Sequence, residues 1–446
     1  VIKLSEKLIL SDPIYIRTSS RRVFRRCLRK WGFLSPLKMN LEPIKNEFYN
    51  LNFWFGSAIH FALEDYFGWN RFGDPRKAFM AYYDAFKEIP IGAEDLFETG
   101  VGMLEYFLEW YARHNQKYQF ETLWLEKEGQ RVPMVEQEFT LDLGIIAVLD
   151  AHTREVYGCY NDLKEFIREE KLLGRSLYIL CNGQITREVI LVPIYYHGTL
   201  DRVVVDKDGN WWIMDYKTAK SADTNKLDTD DQISAYLWAA EQWFQHPFKG
   251  FIYVQLTKET PKPPRRLING NLSTDKSQKT TYSLYRKEVI KDYGDVRKAP
   301  AKIIETLNYF AEQEMPEGDR FVRWDMVQRT TPQKIATYNH IIAEVKHMLS
   351  PNLYLYPNPT RDCIWDCEFR DACIAMDAGD QPTYEFIISS NFQPRNGYDD
   401  TNHDEWRSKI KWPDEPVEKI EVKPSEFLES IRFDIILEDK EVNKDD

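Results

Sequence analysis

The chain has 446 residues, 43% of them hydrophobic, and a formal net charge of −12, enough to bury a large core in one big domain or two. No stretch reaches the length of an apolar membrane span and no charged-then-apolar signal opens the sequence, which predicts no membrane partner, and clustered thiols outside a small secreted framework predict a cytoplasmic protein. The acidic balance argues against nucleic acid only superficially, because residues 413–446 hold 12 acidic and 5 basic residues, a net of −7 that leaves −5 for the rest.

The first predicted element is a basic helix. Arg21, Arg22, Arg25, Arg26, Arg29 and Lys30 lie within ten residues, with Ser19 or Ser20 as the N-cap and the charges on two adjacent stripes. Such a helix is either a solvated face or a track for phosphates, with Arg22 and Arg26 as candidate contacts. Residues 14 to about 125 read as mainly helical. Within them, Phe55 to Glu64 predicts a helix with Ile59, Ala62, Leu63 and Tyr66 as its apolar stripe and His60 beside it. A lone histidine there is more often packed or exposed than a ligand.

The densest pattern comes next. Gly198-Thr199-Leu200-Asp201-Arg202 begins an apolar strand, and Asp215-Tyr216-Lys217-Thr218 ends the following one. Lys207-Asp208-Gly209 predicts a three-residue hairpin loop closing on a left-handed glycine. A loop centred on Asp208 pairs Asp201 with Asp215, and alternation places Lys217 on their face. A two-residue loop would split the acids between faces. Two acids and a lysine can hold a hard divalent cation and grip a phosphate beside it. Strand-end charges forming a salt bridge are the plainer alternative. Gln232 and Tyr236 follow at helical spacing in a helix of about Asp230 to Phe244, then Phe251 to Leu256 predicts another core strand. Strands alternating with helices suit an α/β sandwich with a mixed sheet.

Residues 258–285 break the pattern with prolines and a basic polar run, either a functional loop or a disordered one. Thr331-Pro332 starts a helix with the stripe Ile335, Tyr338, Ile342 and Val345. Cys363, Cys367 and Cys373 then form Cys-x3-Cys-x5-Cys. Close thiols of this kind ask for a metal or a cluster, and three ligands do not close a tetrahedral site. Cys27 is the best candidate for the fourth, whereas Cys159 and Cys181 read as ordinary buried thiols. Past about Asp380 the chain turns polar and acidic. No Gly-x4-Gly-Lys-Ser/Thr loop occurs, so no helicase motor is present in this sequence.

The string Gly-x-x-Asp-Arg, Asp-Tyr-Lys-Thr, Gln-x-x-x-Tyr resembles the PD-(D/E)xK nucleases, and within them the RecB-type branch that includes CRISPR-adaptation and phage-encoded exonucleases. The resemblance runs over about residues 15–376. It implies a restriction-endonuclease-like core with a mixed central sheet flanked by helices, preceded by a helical N-terminal part (1–130). The core (131–376) would carry the 258–285 insertion as a flap over the DNA path, and an acidic tail (377–446) would follow. Val135 to Phe139 looks like the family's first core strand, with Glu136 and Glu138 equal candidates to approach the site.

By the same resemblance, His60, Asp201, Asp215 and the Tyr216 carbonyl hold Mg²⁺ or Mn²⁺, Lys217 acts in catalysis with the two aspartates, and Gln232 and Tyr236 position the substrate backbone. Cys27, Cys363, Cys367 and Cys373 would staple the domain around a 4Fe-4S cluster. The family triplet is often Cys-x2-Cys-x5-Cys, one residue shorter at the first spacing, and zinc is the alternative. The function implied is a metal-dependent DNA exonuclease acting on ends or single strands, with a recombination, replication or helicase protein as partner. A DNA-end-binding or assembly factor with a vestigial centre is the alternative.

Overall fold

The structure, a computed structural model, describes residues 13–44, 51–86, 89–150, 155–172, 180–181, 184–185, 189–221, 224–314, 318–364, 367–395, 406–413 and 417–420. It opens on β1 (Ile14–Ile16), α1 (Thr18–Arg26) and α2 (Leu28–Leu34). The single basic helix expected through Lys30 breaks at Cys27, whose backbone is extended (φ −158°, ψ 112°) and whose sulfur accepts from the Lys30 amide. The cysteine itself thus caps α2. Neither Ser19 nor Ser20 caps α1, whose N-cap is Arg17 and has no side-chain capping bond; Ser20 instead accepts from Trp31 Nε1 at 3.2 Å.

The chain continues through β2 (Leu41–Pro43), α3 (Leu51–Phe67), α4 (Pro75–Ala85) and α5 (Ala93–Tyr118). Next come β3 (Glu121–Thr122), the hairpin β4 (Trp124–Lys127) and β5 (Gln130–Pro133), the long β6 (Val135–Asp150) and β7 (Val156–Tyr160). After α6 (Leu163–Leu172), β8 (Leu180–Cys181) and β9 (Gln184–Ile185), the central strands are β10 (Val189–Val205) and β11 (Trp211–Ala219). α7 (Asp231–Phe244), capped by Asp230, crosses over to β12 (Phe248–Thr257), which runs parallel to β11. α8 (Tyr282–Tyr293) and α9 (Ala301–Gln313) precede β13 (Val322–Val327) and α10 (Thr331–Met348). The last elements are α11 (Arg370–Asp377), α12 (Gln381–Asn391) and β14 (Phe392–Pro394).

The main sheet has the order β13-β12-β11-β10-β6-β7, and both β1 and β3 also pair with β10. Those two short strands lie in the part of the chain that reads as helical, so it contributes directly to the sheet. Alternation along β11 sends Trp212, Met214 and Tyr216 into a core with α3, α4 and α5, and Ile213 into a second core with α1, α2, α7 and α10. Helices on both faces of a mixed sheet give the α/β sandwich expected from the sequence.

Three further regions differ from the sequence reading. Residues 258–281 lack regular elements yet are packed: Leu272 joins Tyr285, Val289, Ile303, Leu307 and Phe310 in a small separate core. Buried Gln278 serves the loop backbone, accepting from Arg265 N and donating to Ser273 O and Asp275 O. The packed unit therefore extends through α9, and β13 returns antiparallel to β12. On α10 the buried face is Thr337, Ile341, Val345 and Met348, while Ile335 is 55% exposed. Thr337 can be buried because its hydroxyl donates to the Gln333 carbonyl at 2.9 Å. Finally, the polar C-terminal region is partly docked: β14 pairs with β2, and Trp406, Ile410 and Trp412 join the core that covers α3.

Candidate active site

Strands β10 and β11 meet in the pairs Arg202–Met214 through Val205–Trp211, so one further step sets Asp201 across from Asp215. The turn closes with the Asp206 amide donating to Asn210 O at 3.0 Å and Gly209 at φ +80°, the left-handed corner that favours glycine. Asp201 is tied to the neighbouring strand, its Oδ2 accepting from the Tyr216 amide at 2.8 Å.

Three donors converge there. His60 Nδ1 lies 3.4 Å from Asp201 Oδ2 and 3.7 Å from Glu136 Oε1, and single ligand atoms of the three residues all lie within 4.8 Å of one another. α3 carries His60 at the edge of a helix face anchored by buried Ile59, Ala62 and Leu63. Glu136, at the start of β6, holds φ +43°, a left-handed conformation that costs a non-glycine residue about 1–2 kcal/mol and is typical of functional positions. Glu138 is exposed. Sequence alternation places both glutamates on one face, and the backbone at 136 decides between them.

Beside this group, Asp215 is 1% exposed and its Oδ2 lies 2.7 Å from Lys217 Nζ, an ion-pair contact short of hydrogen-bond alignment. Burial pushes Asp215 up to about 6 despite the attraction of Lys217. Burial likewise raises Asp201, against the pull of His60 and Lys217. Burial opposes charge on His60, but Asp201 and Glu136 outweigh it and lift the imidazole to about 9. Lys217 is raised as well, burial being overcome by Asp215 and Asp201. An imidazole nitrogen with clustered, half-buried carboxylates suits a hard divalent cation such as Mn²⁺ or Mg²⁺, and the poorly satisfied buried Asp215 Oδ2 fits the same purpose.

The other candidates fall nearby. Gln232 accepts from Arg22 Nη2 at 3.1 Å. Tyr236 meets Phe139 edge-on at 5.8 Å, and burial raises its hydroxyl. The basic segment is largely a structural ion network. Arg21, fully buried, reaches Asp231 at 3.0 Å and Glu344 at 2.7 Å. Arg25 shares both acids, Arg26 pairs with Asp362, Arg29 with Asp377 and Lys30 with Glu368.

Cys27 and the triplet share one corner of the protein. Asn358 donates to Arg26 O at 2.8 Å and the Arg29 amide to Tyr356 O at 3.1 Å. Three of the sulfurs accept N–H donors: Cys27 from Lys30 N at 3.5 Å, Cys363 from Thr360 N at 3.4 Å, and Cys373 from Arg29 Nη1 at 3.2 Å. Among the described residues no three cysteine sulfurs come within 4.8 Å of one another, so the thiols are not gathered as a single-ion site would gather them.

Sequence reasoning passed over Arg202. It is buried, its guanidinium carbon 3.7 Å from the Phe67 ring centroid, and it donates to Thr122, Tyr111 and Tyr216. It thereby binds α3, α5, β3 and β11 together one residue from Asp201. The signal was in the sequence, an arginine following the motif aspartate inside an apolar strand.

Among known protein families, the profile described as the PD-(D/E)XK nuclease superfamily matches residues 18–374. No curated protein gives a significant match.

Proposed function

The chain belongs to the PD-(D/E)XK nuclease superfamily, and on that premise we propose that it is a metal-dependent deoxyribonuclease of the RecB type, an exonuclease acting on DNA ends or single strands. The observation carrying this reading is the convergence of His60, Glu136 and Asp201 beside the Asp215–Lys217 pair. His60, Glu136 and Asp201 would hold the cation, with Asp215 and the Tyr216 carbonyl as further donors from β11. A divalent cation there would neutralise charge on the scissile phosphate and acidify water. Lys217, held charged by its two aspartates, orients the attacking water or stabilises the pentacoordinate phosphate. Gln232 and Tyr236, one turn apart on α7, would position the DNA backbone.

A 4Fe-4S cluster on Cys27, Cys363, Cys367 and Cys373 belongs to the same reading. The four thiolates would be its ligands, and a tetrahedral zinc ion on the same four is the alternative. N–H donors aimed at three of the sulfurs are the contacts that favour thiolates around such a cluster.

The test is degradation of end-labelled single- and double-stranded DNA with Mn²⁺, wild type beside Lys217→Ala. The variant is expected to keep its circular dichroism spectrum and lose hydrolysis by about a thousandfold or more. Undiminished cleavage by the folded variant would refute the assignment.

A further inference from the structure

At the far end of α3 from its N-terminus, two tryptophans face each other with no role in the core. Trp69 is 50% exposed, and its ring meets that of Trp124 at 5.7 Å and 90°. The Arg131 guanidinium lies over the Trp124 ring, 5.6 Å from its centroid. Trp124 and Arg131 share one face of the β4–β5 hairpin, because the register pairs Trp124 with Pro133 and Glu126 with Arg131.

The turn that presents Trp69 is held firmly. The buried Asp65 carboxylate accepts from the Arg71 and Phe72 amides at 2.9 and 3.1 Å, and Asn70 takes a left-handed φ of +52°. An exposed aromatic on a fixed turn avoids the ordering cost a mobile loop would bring to binding.

The place is next to the metal-binding group. A Cβ on Gly68 would come within 2.7 Å of Val135 Cγ2 and 3.7 Å of Pro133 Cγ, so the end of α3 abuts the residue before Glu136 and the one opposite Trp124. His60 and Phe67 are seven residues apart on α3, roughly 10 Å along its axis. That is about three nucleotides at 3.4 Å per strand position.

We propose that Trp69, Trp124 and Arg131 form a stacking platform for the bases of an unpaired nucleic-acid strand running into the metal centre. Rings backed by a guanidinium are how single strands are held without sequence preference. The tip of the hairpin that carries Trp124 is polar, with Glu126, Lys127, Glu128 and Gln130 exposed, unlike the contiguous apolar patch that marks a protein interface. The platform deepens the nuclease reading and rests on it for direction, since it makes a single strand the form that reaches His60 and Asp201.

Fluorescence anisotropy on the full chain, with metal withheld, tests this. Wild type is expected to bind a labelled oligothymidine twenty-mer more tightly than an abasic strand of equal length. Trp69→Ala should weaken oligothymidine binding by about five- to a hundredfold, leave abasic binding within about twofold, and be largely rescued by Trp69→Phe. Equal losses on both strands indicate a structural role, and no loss on oligothymidine excludes the platform; either overturns the proposal. The nuclease reading is judged separately, by Mn²⁺-dependent nucleotide release from the same strand by wild type. Absence of release with the base-dependent binding intact would refute the nuclease and keep the platform.

Discussion

His60 is a histidine whose charge its neighbours decide. Asp201 and Glu136 raise it to about 9 despite burial, so below that pH an entering cation must displace a proton. Mn²⁺ affinity is therefore expected to climb between pH 6 and 9, by up to about tenfold per unit, and level off above; titration calorimetry across that range reads it. Glu136→Gln removes a donor, and since even outer partners of a metal site are worth about 10–100-fold, affinity should drop by at least about tenfold. Glu138→Gln, on an exposed side chain, should leave it unaltered. A Glu136→Gln protein that binds Mn²⁺ like wild type takes Glu136 out of the ligand set. The hairpin acids were legible in the sequence because strand alternation and a three-residue loop leave one register. The choice of Glu136 was not, since it rests on a left-handed backbone at the start of β6 that strand alternation does not announce.

Elements joined by ion pairs were harder to read than those packed by apolar stripes. The basic run looked like one amphipathic helix, but buried Arg21 and the acids on α7, α10 and α11 use its charges to fasten the N-terminal helices, and the break at Cys27 serves that geometry. The insertion was illegible for a related reason: its polar residues satisfy the backbone of a packed loop, which in composition looks the same as a solvated one. The break also sets Cys27 between two ties to the segment before the triplet, from Asn358 to Arg26 O and from the Arg29 amide to Tyr356 O. If these four thiols hold one cluster, serine at any of them should bleach the broad visible absorption and empty the protein of iron and labile sulfide. Cys159→Ser should keep both, because that thiol lies on β7 and packs against the apolar core, with no other cysteine at ligand spacing in the sequence. A Cys27→Ser protein with full iron content would break the staple between the ends of the domain.

Across the whole molecule, the family profile ends at residue 374, yet the chain beyond it completes the cover over the helix that carries His60. Trp406 packs edge-on against Phe61 at 5.1 Å and Tyr82 at 4.8 Å. Arg407 donates to both oxygens of Glu64, one turn beyond His60, at 3.0 and 2.6 Å. The Ile420 amide then donates to Gly73 O, and Tyr66 donates to Ile420 O. The polar composition that reads as a tail thus begins with a clasp, and the acidic remainder, residues 421–446, lies outside the described residues. Two truncations separate these parts. Ending the chain at Arg395 removes the clasp and uncovers Phe61, so stability should fall by about 3 kcal/mol or more and hydrolysis should fall with it as α3 loosens. Ending it at Ile420 removes 9 acidic and 4 basic residues and should leave the melting curve in place. If those acids compete with phosphate for basic surfaces, tethering gives them a high effective concentration, and their loss should tighten DNA binding, most at low salt where charges are least screened. Equal binding by the full chain and the Ile420 truncation across a salt titration would eliminate that competition and leave the acidic tail either a handle for a partner protein or inert.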